Sequence, residues 1–150
     1  KDMLDIFNKE ALKDLDSAYS FCVYNVEDCK VGQGADGFMI NTNFLKEIFE
    51  FFNKFVLNNK KLFFNDDLWI SIYLNKVLKK DIKNLFQLIK QPIFFKKIKS
   101  IYKKHTTVDA LIELYSKDRK EAREIKFKEN CEEYLLIKNQ TENFTKVCLS

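Results

Sequence analysis

All three glycines of the chain, Gly32, Gly34 and Gly37, fall within six residues, and Pro92 is the single proline. An all-β sandwich needs many tight turns, and glycine and proline supply most of the backbone geometry that such turns require. A chain this poor in both must place much of its length in helices. Its 150 residues match one ordinary domain, and 46% hydrophobic with 32% charged residues excludes disordered and collagen-like classes. The segment KDMLDIFNKE has no apolar core of the signal-peptide kind, and no apolar run approaches the ~20 residues of a membrane helix. Localisation therefore stays open between the cytoplasm and the secretory pathway. Sequons at Asn139 and Asn143 lean weakly to the latter in an Asn-rich chain.

The net charge of +4 comes almost wholly from lysine, since Arg119 and Arg123 are the only arginines. Nucleic acid is not an expected partner, because reading phosphate and guanine favours the guanidinium fork. Cys22, Cys29, Cys131 and Cys148 form no C-x-x-C pair and share the chain with one histidine, which argues against zinc. Cys22 and Cys29 either close a hairpin as a disulfide or stay as unpaired, partly buried thiols.

Met3, Leu4, Phe7, Ala11, Leu12 and Leu15 recur at helical spacing and predict an amphipathic helix over 3–16. Residues 18–26, AYSFCVYNV, read as a strand, with a turn at 27–30. The glycines follow, either as a bulged hairpin or as a loop whose backbone another group approaches closely. Phe38, Met39 and Ile40 read as a short strand, after which Asn41, Thr42 or Asn43 can cap a helix. That helix, over 44–58, places Phe44, Leu45, Ile48, Phe51, Phe52, Phe55 and Val56 on one face as core. Lys61 to Phe64 read as extended. Residues 82–95 read as short strands or an irregular crossing segment. Two helices are expected from Thr107 with a break at 116–118, followed by a polar, frayed or loop-like end over 139–150.

Between these segments lies NDDLWISIYLNKVLKK, in which a helix opens at Asn65, Asp66 and Asp67. The modest reading is N-capping, since carboxylates accept from free amides and complement the helix dipole. Capping needs one acid. The other must find another partner, water or a substrate, and adjacent acids at a strand-to-helix junction often face a cleft in α/β folds.

The order of a G-x-[AG]-x-G-type loop (Gly34-Ala35-Asp36-Gly37), a strand, a long helix and an acidic pair followed by Trp69-Ile70-Ser71 resembles the acceptor-side, C-terminal half of A-fold glycosyltransferases of a family-2-like subgroup. The resemblance runs over about 20–130 and includes Val108 to Leu111 and the charged helix around Arg119 to Phe127. It implies the C-terminal part of an α/β nucleotide-diphospho-sugar transferase fold, with a short mixed sheet and flanking helices in one partial domain over 1–150. It further implies sugar transfer from a nucleotide-sugar donor to a hydroxyl of a carbohydrate or glycoprotein acceptor. Carried over by residue, Asp67 is the general base, Asp66 its acceptor-binding neighbour and Trp69 a wall of the acceptor site. Gly34, Ala35, Asp36 and Gly37 shape the pocket. A carboxylate at a helix N-terminus is expected to stay ionised at some cost in basicity.

The family's donor half, with a strand-terminal D-x-D holding Mn²⁺ or Mg²⁺, has no counterpart before residue 20, so the fragment is expected to carry no cofactor and no activity of its own. Asp14-Leu15-Asp16 fits D-x-D only on paper, in a helical context. His105 reads either as a late metal ligand of such enzymes or as an exposed histidine beside Lys103 and Lys104. The competing reading from another class is a non-catalytic helical interaction module with the same strand-loop-helix pattern.

Overall fold

The computed structural model describes residues 3–34, 37–88 and 118–148. They form a mixed α/β structure, a small mixed sheet and a hairpin flanked by helices. Helix α1 (Met3–Ala11) leads to β1 (Ala18–Ser20), β2 (Val23–Val26), β3 (Cys29–Gly32) and β4 (Phe38–Met39). Then come a 3₁₀ turn (Thr42–Leu45), α2 (Ile48–Phe51), α3 (Lys60–Phe63), α4 (Asp66–Ile72), β5 (Ile82–Asn84), α5 (Leu85–Leu88) and the long α6 (Arg119–Cys148). Both α2 and α4 run on as π turns, Phe52–Val56 and Tyr73–Val77. Strand β1 is central, antiparallel to β4 and parallel to β5, while β2 and β3 pair as a separate hairpin. Among the described residues no helix is long and apolar enough to cross a membrane.

Several expected elements change shape for identifiable reasons. Residues 18–26 are two strands and not one: the chain bends at Phe21 and Cys22, so β1 serves the sheet and β2 the hairpin. Helix α1 stops at Ala11, and on its expected apolar face Phe7 is deeply buried while Leu4, Leu12 and Leu15 are more than 60% exposed. Asp14 accounts for the early stop, because its carboxylate accepts from Asp16 N–H and from Ser17 Oγ–H and folds the chain into a local turn.

The helix expected over 44–58 is broken into 3₁₀, α and π pieces. Asn41 Oδ1 takes the amide of Asn43 and starts the 3₁₀ turn. The carbonyl of Phe44, which a continuous helix would give to Ile48, instead accepts from the buried Tyr73 hydroxyl at 2.7 Å. Lys60 to Phe63 are helical and not extended, because Asn59 Oδ1 caps Lys61 and Leu62. Leu85 to Leu88 likewise form a helical turn after β5.

Asp118 caps α6 through the Glu121 amide, at the expected break. The helix then continues to Cys148 where a frayed end was expected. Tyr134, Ile137, Thr141 and Phe144 repeat at spacings of three and four, so one buried stripe runs through the polar tail. Phe144 sets its ring against Phe51 (5.9 Å) and Phe55 (5.6 Å), in the same core as Leu62, Leu68 and Ile72. A smaller core gathers Phe7, Tyr19, Phe21 and Leu85 beneath β1. Cys29 and Cys131 are free thiols, so no disulfide joins Cys22 to Cys29, and burial pushes the Cys29 thiol up to about 12.

Candidate functional site

The acidic pair stands where α4 begins, and its two members do different things. Asp66 is exposed, and its Oδ1 accepts from the Asp67 amide at 3.0 Å, so Asp66 serves the helix terminus. Asp67 is half-buried and turns away from its own helix, its Oδ1 accepting the Gly34 amide at 2.7 Å. The N-cap residue, Asn65, makes no side-chain cap bond. Its amide instead donates to the Asn130 side chain on α6 at 2.7 Å.

Gly34 is a position of close approach. A Cβ there would stand 2.7 Å from Asp67 Oδ1, inside contact distance. At Gly37 the backbone has φ +105, open only to glycine without strain, and a Cβ would press on Phe7 at 3.0 Å. The glycine cluster thus serves backbone approach. Ala35 and Asp36, between these two, lie outside the described residues, as does His105.

The contact between Gly34 and Asp67 is one rung of a longer ladder. In the β2–β3 hairpin Val26 faces Cys29 across a two-residue loop, so alternation turns the amides of Lys30 and Gly32 away from β2. Those amides meet α4: Lys30 N–H donates to Asn75 Oδ1 (3.2 Å), Gly32 N–H to Ser71 Oγ (3.1 Å) and Gly34 N–H to Asp67 Oδ1 (2.7 Å). Two residues of strand advance about 6.6 Å and four residues of helix about 6 Å, so alternate amides keep step with side chains at i, i+4 and i+8. An open strand edge is thereby closed by a helix without a further strand.

Electrostatics at Asp67 differ from the expectation for a capping carboxylate. Burial raises its pKa above the usual carboxylate value and Asp66 adds to the rise, while the Gly34 amide and Lys126 pull the other way. Burial wins because this carboxylate faces the hairpin and α6 and not its own helix amides. Lys126 of α6 is also half-buried, and burial lowers its pKa against Glu129 and Asp67. The Tyr24 phenol on β2 is pushed up to about 12, by burial first and by the Asp67 charge second. Asn130 completes the group, its amide donating to Tyr24 Oη at 3.2 Å.

Trp69 stands two residues on, about 200° around α4 from Asp67, with its ring edge-on to Phe52 at 5.5 Å. The structure therefore brings together Gly34, Asp66 and Asp67 and places Trp69 on another side of the helix. The residues that sequence reading missed are Ser71, Asn75, Tyr24, Lys126 and Asn130. Ser71 and Asn75 had a visible signal, a polar line at i+4 and i+8 from Asp67 in a largely apolar helix. Tyr24, Lys126 and Asn130 had none.

Asp14-Leu15-Asp16 lies in the loop after α1 and not in a helix, which corrects its expected context. Lys83 and Ser17 hold the Asp14 carboxylate down at about 2, and Lys80 pairs with Asp16. These acids are engaged by Ser17, Lys80 and Lys83 in closing the loop, and among the described residues no group of three or more His, Cys, Asp or Glu side chains is placed to hold a metal ion. A separate groove of about 320 Å³ opens between the hairpin and β5, lined by Asn25, Lys30, Asp81 and Lys83, away from the acidic pair. No family model, no curated protein and no solved structure matches this chain.

Proposed function

We propose that this chain is the acceptor-side part of a GT-A-like glycosyltransferase domain, in which Asp67 takes the proton of a carbohydrate acceptor hydroxyl. The observation that carries the reading is the 2.7 Å contact between the Gly34 amide and the Asp67 carboxylate, which joins the glycine loop to the acidic pair. A base needs a pKa near its working pH and hydrogen-bond reach to the hydroxyl. The upward shift at Asp67 supports the first need, and the exposure of Gly34 and Asp66 beside it leaves room for an acceptor. In the proposed step the hydroxyl oxygen bonds to the anomeric carbon, the bond from that carbon to the phosphate oxygen breaks, and Asp67 receives the proton. The nucleoside diphosphate leaves with the electron pair.

The ladder favours a second reading, a non-catalytic module. Ser71 and Asn75 hold strand amides for structural reasons, and Asp67 stands in line with them. Asp67→Asn separates the two, because an amide oxygen still accepts from Gly34 N–H but cannot take a proton. Assayed in the full-length protein with nucleotide-sugar donors, turnover should fall by roughly 10² to 10⁴ for a lost general base. Asp66→Asn is the control, with a smaller loss. Undiminished turnover in Asp67→Asn leaves the carboxylate as a rung of the ladder.

A further inference from the structure

Behind the acidic pair a buried polar relay joins three elements, and none of it is needed to cap α4. The Asn65 backbone carbonyl starts that helix by accepting from Leu68 and Trp69. Its side chain, 9% exposed with the residue as a whole, runs to Asn130 Oδ1 at 2.7 Å, and Asn130, 2% exposed, passes its own amide to Tyr24 Oη at 3.2 Å. The relay therefore ties the first turn of α4 to α6 and to β2, the strand paired with β3. Beyond the end of β3, the Gly34 amide meets Asp67.

A buried amide pair is a costly way to hold two helices together. Apolar side chains of similar volume pack there without desolvating four polar groups, and such replacements are often neutral or stabilising. What the amides add is directionality, since each bond fixes an angle as well as a distance. The direction fixed is the start of α4, two residues before the carboxylate that reaches Gly34.

We infer that Asn130 is a positioning residue for Asp67, holding the acidic turn in register with the glycine loop through Asn65 and Tyr24. The inference rests on the functional reading of Asp67 only for its significance; the geometric claim stands or falls by itself. The groups facing Asp67 are Asp66 on its own helix, Lys126 on α6 and Tyr24 on β2.

The test uses this chain with Asn130→Leu, which keeps the γ-branched shape of the side chain and deletes both bonds. Amide hydrogen exchange is read at Gly34 and, as an internal reference on the same ladder, at Lys30. The Asp67 carboxyl is titrated by carbon-detected NMR. The expected result is exchange at Gly34 accelerated at least tenfold relative to Lys30, with the Asp67 midpoint moving down toward the ordinary carboxylate value as water reaches it. Equal acceleration at both amides, or an unmoved Asp67 midpoint, overturns the inference, since loss of stability alone gives that pattern. Should Asn130→Leu not fold, Tyr24→Phe removes only the outer bond, and the same selective change at smaller size is expected. An unchanged Gly34-to-Lys30 ratio there overturns it equally. Failure here leaves the Asp67→Asn turnover assay untouched, and failure of that assay leaves the relay untouched.

Discussion

At Asp67 the cost of burying a charge exceeds what the Gly34 amide returns, so the folded state holds this proton more tightly than the unfolded chain does. A carboxylate of that kind adds stability below its unfolded pKa, about 3.9, and the contribution is lost as pH rises through the folded value. Asp67→Asn removes the dependence while keeping an acceptor for Gly34. Denaturant unfolding at pH 7 should find the variant as stable as the parent or more so, and the advantage should vanish near pH 3.5. A variant weaker at pH 7 means that the charge itself stabilises the fold. Gly34 makes the reciprocal case. Its missing Cβ leaves the space in which the carboxylate sits, so Gly34→Ala should cost about 1–3 kcal/mol as an overpacked contact. The same substitution made in an Asp67→Ala background should cost much less, because the colliding oxygen is gone; equal costs in the two backgrounds point to backbone strain instead.

Across the ladder the three rungs differ in exposure, and exposure sets their value. Ser71 is fully buried, and its loss leaves the Gly32 amide with neither partner nor water, whereas Lys30 lies at the surface where water can replace Asn75. Ser71→Ala should therefore destabilise by about 1–3 kcal/mol and Asn75→Ala by less than about 1 kcal/mol. Thermal melts giving the two the same cost contradict this account. Half of the ladder was legible: Asp67, Ser71 and Asn75 keep helical spacing, but their partners lie 33, 39 and 45 residues away, and no local rule pairs a strand edge with a helix face. Local rules failed in the same way at α2, where a regular phenylalanine stripe predicted one helix and the Tyr73 hydroxyl claims a carbonyl inside it. At the end of α6 the error ran the other way. Polar composition masked a stripe of four buried residues closing with Phe144, which is 5% exposed. Phe144→Ala should cost about 3 kcal/mol, as for a core phenylalanine, where a frayed tail gives no change in the melt.

In the whole molecule, the hairpin tip is where the separate elements are locked together. Glu27 takes a left-handed conformation, φ 53, to turn the two-residue loop, and this presents Asp28 to both α4's π turn and α6. Its carboxylate accepts from the Tyr134 hydroxyl at 2.7 Å and pairs with Lys76 at 3.0 Å and Lys138 at 3.2 Å. The sequence shows Glu27-Asp28 only as a turn, because the partners are set by the docking of α4's π turn and of α6, which begins 91 residues after Asp28. These partners, Tyr134 foremost, hold the Asp28 carboxyl well below the ordinary carboxylate range, the opposite sense to Asp67. A depressed pKa stabilises the fold above the unfolded value of about 3.9, and that stabilisation drains away as pH falls through the folded value. The Asp28 side chain is 54% exposed, so solvent screening reduces the charged hydrogen bonds from their buried worth to about 1 kcal/mol at pH 7. Asp28→Asn should lose that amount at pH 7 in low salt and less at 1 M salt, where the lysine contributions are screened. Below pH 4 the stability curves of parent and variant should converge as the parent's carboxylate takes up its proton. Curves that stay parallel down to pH 2 mean that the tip is held by the geometry of its loop, with the ion pairs incidental.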